Sequence, residues 1–303
     1  MKNLTISCSK AYIVKLLNEN NLTKSLYPNY ILFKKNLKVL NRLLFDKQPH
    51  FLEIHAVDHC NLNCYGCSHY SSISEEKYLD LQNLEINLKY LQKVSKYFKE
   101  VRIMGGEPLL HPEIIRIMET VRGTFKHNQI SLLSNGILLK RMNEEFWNAC
   151  KKNNIELKLT IYPNVSIDSI IQILNGKEVK YSFYADRKMM THWETLLLNE
   201  KRSKNALINY YKCGGYQESW QLYDNKIIGC SISAYAFKLN RKFGSNFQLE
   251  EKDYLPVDES LSRRKLLWFS FRVKKFCKYC VFPREKTNWQ KSGYSASEWI
   301  CNQ

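Results

Sequence analysis

From residue 51 to about residue 184, short apolar runs alternate with stretches of helical spacing, and few folds satisfy that alternation. Residues 51–57, 101–104, 130–133, 156–161 and 179–184 read as strands. Between them, Leu81, Leu84, Leu88, Leu91 and Phe98 keep to one helical face, and 111–125, 143–152 and 167–174 read as helices. Pro112 stands at the first turn of its helix, where a missing N–H costs nothing. Repeated strand-then-helix units imply a parallel sheet, closed as a barrel or doubly wound. Past about residue 185 the alternation stops, and 220–223 and 226–229 flank Asp224-Asn225 as a hairpin would. The chain therefore divides into a helical extension (1–49), an α/β core (50–204) and a smaller C-terminal region (205–303). In the extension, Tyr30, Phe33, Leu37, Leu40 and Leu44 share a helical face, with Lys34, Lys35, Lys38 and Arg42 elsewhere. Such a helix docks on its own domain or lies on an anionic membrane.

Ten cysteines are many for a chain in a reducing compartment, where structural disulfides are rare. Three of them, Cys60, Cys64 and Cys67, fall within eight residues of a loop that follows the first strand. Thiolate is the soft ligand that iron–sulfur clusters and zinc prefer. A closed zinc site would take a fourth ligand, which His59 or His69 could supply. A three-thiolate cubane instead leaves one iron open to a substrate or cofactor. Cys213, Cys230, Cys277 and Cys280 form a second set in the C-terminal region, four thiols that suit either a cluster or zinc, with Cys301 able to replace one of them. Cys150 lies in a helical stretch and reads as core; Cys8 reads as incidental.

CxxxCxxC directly after the first strand resembles the radical S-adenosylmethionine (radical SAM) superfamily. Gly105-Gly106-Glu107-Pro108 at the end of the second strand resembles its GGEP motif, and Ser134-Asn135 with Gly136 ends the third strand where that family contacts SAM. The resemblance implies a partial (β/α)6 TIM-like barrel with a small C-terminal α+β cysteine-rich module. It also implies a [4Fe–4S] cluster on Cys60, Cys64 and Cys67, and SAM held by Gly105, Gly106, Glu107, Pro108, Ser134 and Asn135. In that scheme Glu107 meets the methionine ammonium. The family's aromatic before the third cysteine is Gly66 here, so Tyr65 takes over the adenine contact, and Thr160 and Tyr162 are further candidates. The second cysteine set resembles the shortened "twitch" form of a SPASM module and implies an auxiliary [4Fe–4S] cluster. Cys301 or Cys150 would be the thiol if the reaction returns a hydrogen atom, as radical SAM epimerases do. A one-electron donor such as flavodoxin or ferredoxin is implied as partner.

The formal charge of +17 is uneven. Residues 1–50 hold nine Lys/Arg against two acids, and 261–291 hold ten against one. That distribution suits an anionic small-molecule substrate, a nucleic acid or a membrane surface. No run approaches the roughly 20 apolar residues that cross a bilayer, and residues 1–5 lead into no secretory signal, so a cytoplasmic protein is expected. The loop from His59 to His69 further resembles bacterial radical SAM proteins with HCNLNCxGCSH loops, found with surface-carbohydrate genes. A sugar or nucleotide-sugar is the substrate that resemblance implies, with dehydrogenation or epimerisation as the reaction. A peptide-modifying maturase is the alternative enzyme. Cyclic pyranopterin synthases are similar in layout, but Trp299-Ile300-Cys301-Asn302-Gln303 lacks their closing diglycine. A metal-stapled nucleic-acid-binding module is the non-catalytic alternative; it leaves the motifs at Gly105 and Ser134 unexplained.

Overall fold

The computed structural model describes residues 50–163, 165–184, 192–201, 205–213 and 219–301. The expected helical extension and Cys8 lie outside them. Strands β1 (His50–Val57), β2 (Phe98–Gly105), β3 (Gln129–Ser134), β4 (Ile155–Leu159) and β5 (Tyr181–Phe183) run parallel in that order. They alternate with helices α1 (Leu81–Leu91), α2 (Ile114–Thr124), α3 (Glu144–Lys152) and α4 (Ile167–Leu174). Asp80, Asn143 and Ser166 cap α1, α3 and α4 by accepting backbone N–H bonds in the first turn, which fixes where each helix begins.

One face of the sheet is apolar. Leu52, Ile54, Val101, Ile103, Ile130, Leu132 and Leu157 are buried there with the inward sides of α1 to α4. The other face carries Glu53, Glu100, Arg102, Lys158 and Gln221, the pattern a strand's period of two demands. Burying these charges requires partners, and they have them. Arg102 bridges Glu53 and Glu100 at 3.2 and 3.3 Å, Lys158 meets Glu100 at 2.7 Å, and Gln221 donates to Glu53.

The expected division at residue 205 is not a break in the fold. β7 (Ser219–Tyr223) pairs parallel with β1 on the side away from β2, and β8 (Lys226–Ile228) and β9 (Tyr254–Pro256) extend the same sheet antiparallel. The sixth parallel strand thus joins β1 and not β5, because Trp220 and Leu222 add to the apolar face while Gln221 completes the polar one. The β7–β8 hairpin turns at Asp224 and Asn225, both with positive φ, as expected of that dipeptide. A second core gathers Tyr70, Leu198, Ile232, Tyr235, Leu239, Phe276 and Trp299. It includes α6 (Ser231–Ala234) and α7 (Phe237–Phe243), while α5 (Ala206–Lys212) and α8 (Arg263–Phe271) complete the helices of this half. Tyr70 comes from just past the cysteine loop, so that loop is packed between the two halves. β6 (His192–Thr195) and β10 (Glu285–Asn288) form a separate antiparallel ribbon.

Trp220 is 1% exposed and packs on Phe98, Tyr97 and Phe269. Trp220→Ala should cost about 3–5 kcal/mol. Urea unfolding should show the whole α/β core shifting in one transition; a shift confined to the C-terminal half would mean that the two halves fold separately.

Candidate metal and cofactor site

The cysteine loop begins where β1 ends, and two glycines let β2 close on it. A Cβ on Gly105 would lie 2.4 Å from the Val57 carbonyl oxygen, and one on Gly106 would lie 1.9 Å from that of His59. Both obstacles are backbone, so no side chain fits at either position. The approach is fixed by Gly106 N–H donating to Val57 O at 2.8 Å and Glu107 N–H to His59 O at 3.2 Å.

Glu107, the expected ammonium contact, is met by three donors of the protein itself. Its side chain is fully buried, and its oxygens accept from Ser134 Oγ (2.9 Å), Asn135 N (2.9 Å) and Leu109 N (3.1 Å). The carboxylate therefore ties the end of β2 to the end of β3. Burial pushes its pKa up to about 7, against three donors that favour the charged form. Asn135 carries the link onward. Its Nδ2 donates to Asn61 Oδ1 at 2.7 Å and reaches Cys60 Sγ at 3.9 Å, while its Oδ1 accepts from Ile137 N. Pro108 starts the short 3-10 turn that Glu107 caps.

Cys60, Cys64 and Cys67 share one neighbourhood. Burial, then the Glu107 charge, then the other two thiols push the Cys60 thiol up; burial and Cys67 push Cys64 up to about 12. A single tetrahedral zinc would draw its sulfurs to about 3.8 Å of one another, given Zn–S bonds near 2.3 Å. Among the described residues, no three His, Cys, Asp or Glu side chains meet such a single-ion geometry. Tyr162, a secondary candidate from sequence, is half-buried beside this group, and desolvation followed by Cys64, Cys67, Cys60 and Glu107 raises its hydroxyl well above the usual tyrosine range. Burial, then Glu298 and Glu285, raises the hydroxyl pKa of Tyr65, the expected adenine contact, and its N–H donates to Gln290 O at 2.9 Å. Trp289, which nothing local in the sequence marks, places its indole N–H 3.2 Å from Cys64 Sγ.

The second cysteine set also converges. Cys213, Cys230 and Cys277 each push the Cys280 thiol up, after burial, and burial with Cys230 and Cys213 does the same to Cys277. Arg284 Nη2 donates to Cys213 Sγ at 3.4 Å, and Asn209 Nδ2 holds the carbonyls of Cys277 (2.9 Å) and Cys280 (2.7 Å). Cys301 enters a ladder with Leu198, which pairs with Cys280 on its other side. Cys150 does not belong to either group. It is 1% exposed, its sulfur 4.0 Å from Met118 in the α2–α3 packing.

On the β7 side of β1 a cavity of about 500 Å³ is lined by His55, Asp58, Lys77, Tyr223 and Phe237 among others. Behind it, Asp58 lies 2.9 Å from His55 Nε2 and 3.2 Å from Lys238 Nζ. Burial alone would raise the Asp58 pKa, but these two partners win and hold it at about 2.

Glu107→Gln tests the clamp. A glutamine has one acceptor oxygen for three donors and turns its NH2 toward one of them, so thermal unfolding at neutral pH should show a loss of about 1–3 kcal/mol. The pH dependence follows the raised pKa. In the folded state the carboxyl binds its proton more tightly than in the unfolded chain, so its contribution is fullest below about pH 4.5 and is lost as pH rises through about 7. That slope should vanish in Glu107→Gln.

Residues 54–178 match the family described as the Radical SAM superfamily. Similar sequences include the GTP 3′,8-cyclases of Thermodesulfovibrio yellowstonii (28% identical, over 42% of this chain and 37% of that one) and Microcystis aeruginosa (31%, over 36% and 35%). A probable GTP 3′,8-cyclase of Methanocaldococcus jannaschii is 30% identical over 45% of this chain and 42% of that one. The chain thus spans only about two fifths of the length of the curated relatives it matches. Among solved structures, BtrN in complex with AdoMet and 2-DOIA aligns over 76% of this chain and 92% of that one, at 12% identity and a TM-score of 0.46. The match opens inside β1 and closes past α4, taking in the cysteine loop and the ends of β2 and β3 together, so this part of the chain is a radical SAM domain.

Proposed function

We propose that this chain is a radical SAM enzyme in which Cys60, Cys64 and Cys67 hold a [4Fe–4S] cluster and S-adenosylmethionine binds at the ends of β2 and β3. One observation carries the reading: three thiols from one loop share their surroundings with the buried clamp of Glu107, Ser134 and Asn135. Bound there, cluster and SAM supply one electron and a sulfonium whose C5′–S bond breaks to methionine and a 5′-deoxyadenosyl radical, which takes hydrogen from a substrate carbon. The chain's own residues bind and orient. Three protein thiolates leave a cubane with one iron free for a cofactor. Asn135 holds the loop in place through Asn61 and Cys60, and Trp289, in ring contact with Tyr162, meets it at Cys64. The second set, Cys213, Cys230, Cys277 and Cys280, would hold an auxiliary cluster.

For the substrate we favour a sugar or nucleotide-linked sugar, undergoing dehydrogenation or epimerisation. The support is the concentration of positive charge in 261–291, which suits an anionic group. The names of the similar sequences favour a second reading, a purine nucleotide, though each is matched over less than half its length. An external donor such as flavodoxin or ferredoxin would deliver the electron. Arg263, Arg264 and Lys265, exposed on α8 beside Trp268 at 63% exposure, offer a basic face to such an acidic partner.

Anaerobically prepared protein should form 5′-deoxyadenosine from SAM and dithionite. Replacing Cys60, Cys64 and Cys67 together with Ala should remove about four irons per chain and abolish that product; persisting SAM cleavage in the triple variant would overturn the reading. Deuterium transfer into 5′-deoxyadenosine from labelled nucleotide-sugars or from labelled GTP separates the two substrate classes. Cys277→Ala with Cys280→Ala should remove the auxiliary iron alone. Loss of zinc in its place would make the second site a structural staple, and unchanged metal content would exclude this pair as ligands.

A further inference from the structure

We propose that Trp289 is a positioning residue for Cys64, its indole N–H donating to the cysteine sulfur and thereby setting the potential at which a cluster on that sulfur accepts an electron. This rests on the reading of Cys64 as a cluster ligand. The two residues are 225 positions apart, and Trp289 Nε1 stands 3.2 Å from Cys64 Sγ. A part-buried indole N–H needs an acceptor, and here the acceptor is the sulfur.

The contact is held in register by the backbone on both sides. Tyr65 N–H donates to Gln290 O at 2.9 Å and Ser292 N–H to Asn63 O at 2.8 Å, an antiparallel pairing centred on Cys64 and Lys291. Asn63 Nδ2 donates to Tyr294 Oη at 2.6 Å. The buried Glu298 carboxylate accepts from Gly66 N at 3.4 Å on the loop, and from Gly293 N at 2.8 Å and Ser295 N at 3.2 Å on its own segment. Trp299 Nε1 donates to Cys67 O at 3.0 Å. Residues 289–299 therefore form a strap along the loop from Asn63 to Cys67, and Trp289 is the strap residue that reaches a sulfur. Cys60 takes its donors elsewhere, from Leu62 N within the loop (3.3 Å) and Asn135 (3.9 Å).

An N–H directed at a ligating sulfur withdraws electron density from it. It therefore stabilises the reduced cluster, which carries one more negative charge, more than the oxidised one, and raises the potential. Removing the donor should make reduction harder without removing a ligand.

The test is redox titration of the anaerobically reconstituted full chain, following the electron-paramagnetic-resonance signal that changes on adding SAM, with iron measured in each sample. Trp289→Phe keeps the ring and loses the N–H. It should keep its iron and move the midpoint to a more negative potential. Trp289→His restores a ring N–H and should recover part of the shift. Tyr294→Phe removes one side-chain bond of the strap but leaves its backbone pairing and the Trp289 contact, and should titrate like wild type. An iron-replete Trp289→Phe with the wild-type midpoint overturns the proposal, as does an equal shift in the Phe and His variants, which would assign the effect to packing. If Trp289→Phe loses iron, retention in Trp289→His supports the N–H, and loss from both overturns it. A wild-type chain with no SAM-responsive cluster overturns the assignment of Cys64, and the proposal with it.

Discussion

Glu107 is a carboxylate without water, and the geometry of the site depends on where its two oxygens find donors. A buried carboxylate must be satisfied or it is costly, and the donors within reach belong to the next strand's exit, Ser134 and Asn135, and to Leu109 in its own turn. Satisfying one acid thus couples β2 to β3. Asn135 then passes the constraint to Asn61 and Cys60. The two glycines before Glu107 make the arrangement feasible, since a Cβ at either would strike backbone of the strand or loop next door. A chain of short polar contacts, anchored in the dry interior, holds the cysteine loop where β1 releases it.

The sheet beneath divides its labour by face. The apolar side accounts for most of the burial and hence for the drive to fold. The polar side carries a closed set of ion pairs, Glu53–Arg102–Glu100–Lys158, joined through Gln221 to the C-terminal half. Such pairs contribute little net stability when desolvated. Of these contacts the Gln221–Glu53 bond is the one that reaches β7, between residues paired in the parallel register of β1 and β7.

Much of this was legible in the sequence wherever the signal is local. The helix at 167–174 appears with the bounds its spacing gives, and the hairpin turns at Asp224 and Asn225. The positions of the cysteines were legible too, because three thiols in eight residues have few alternatives to a shared neighbourhood. What sequence could not convey was direction and distance. A glutamate after two glycines reads the same whether it faces solvent or turns inward, and only the structure shows Glu107 facing Ser134. Trp289 carries no motif and its partner lies 225 positions away, and the Ser295-x-x-Glu298 capping box gives no sign that Glu298 also reaches Gly66, 232 positions earlier. The continuation of the sheet through β7 was hidden for a similar reason. Ser219–Tyr223 looks like half of a hairpin, and its parallel pairing with β1 depends on a strand over 160 residues earlier.

The strap has a consequence for how the protein is made. The loop bearing Cys60, Cys64 and Cys67 emerges from the ribosome early, while the segment that pairs with it comes more than 200 residues later. At the 5–20 residues per second typical of translation, that is an interval of roughly 10 to 45 seconds. Through that interval the three thiols are exposed to solvent on an unpaired loop, open to oxidation and to the wrong metal. The cradle around these thiols therefore first exists once residues 289–299 have been made.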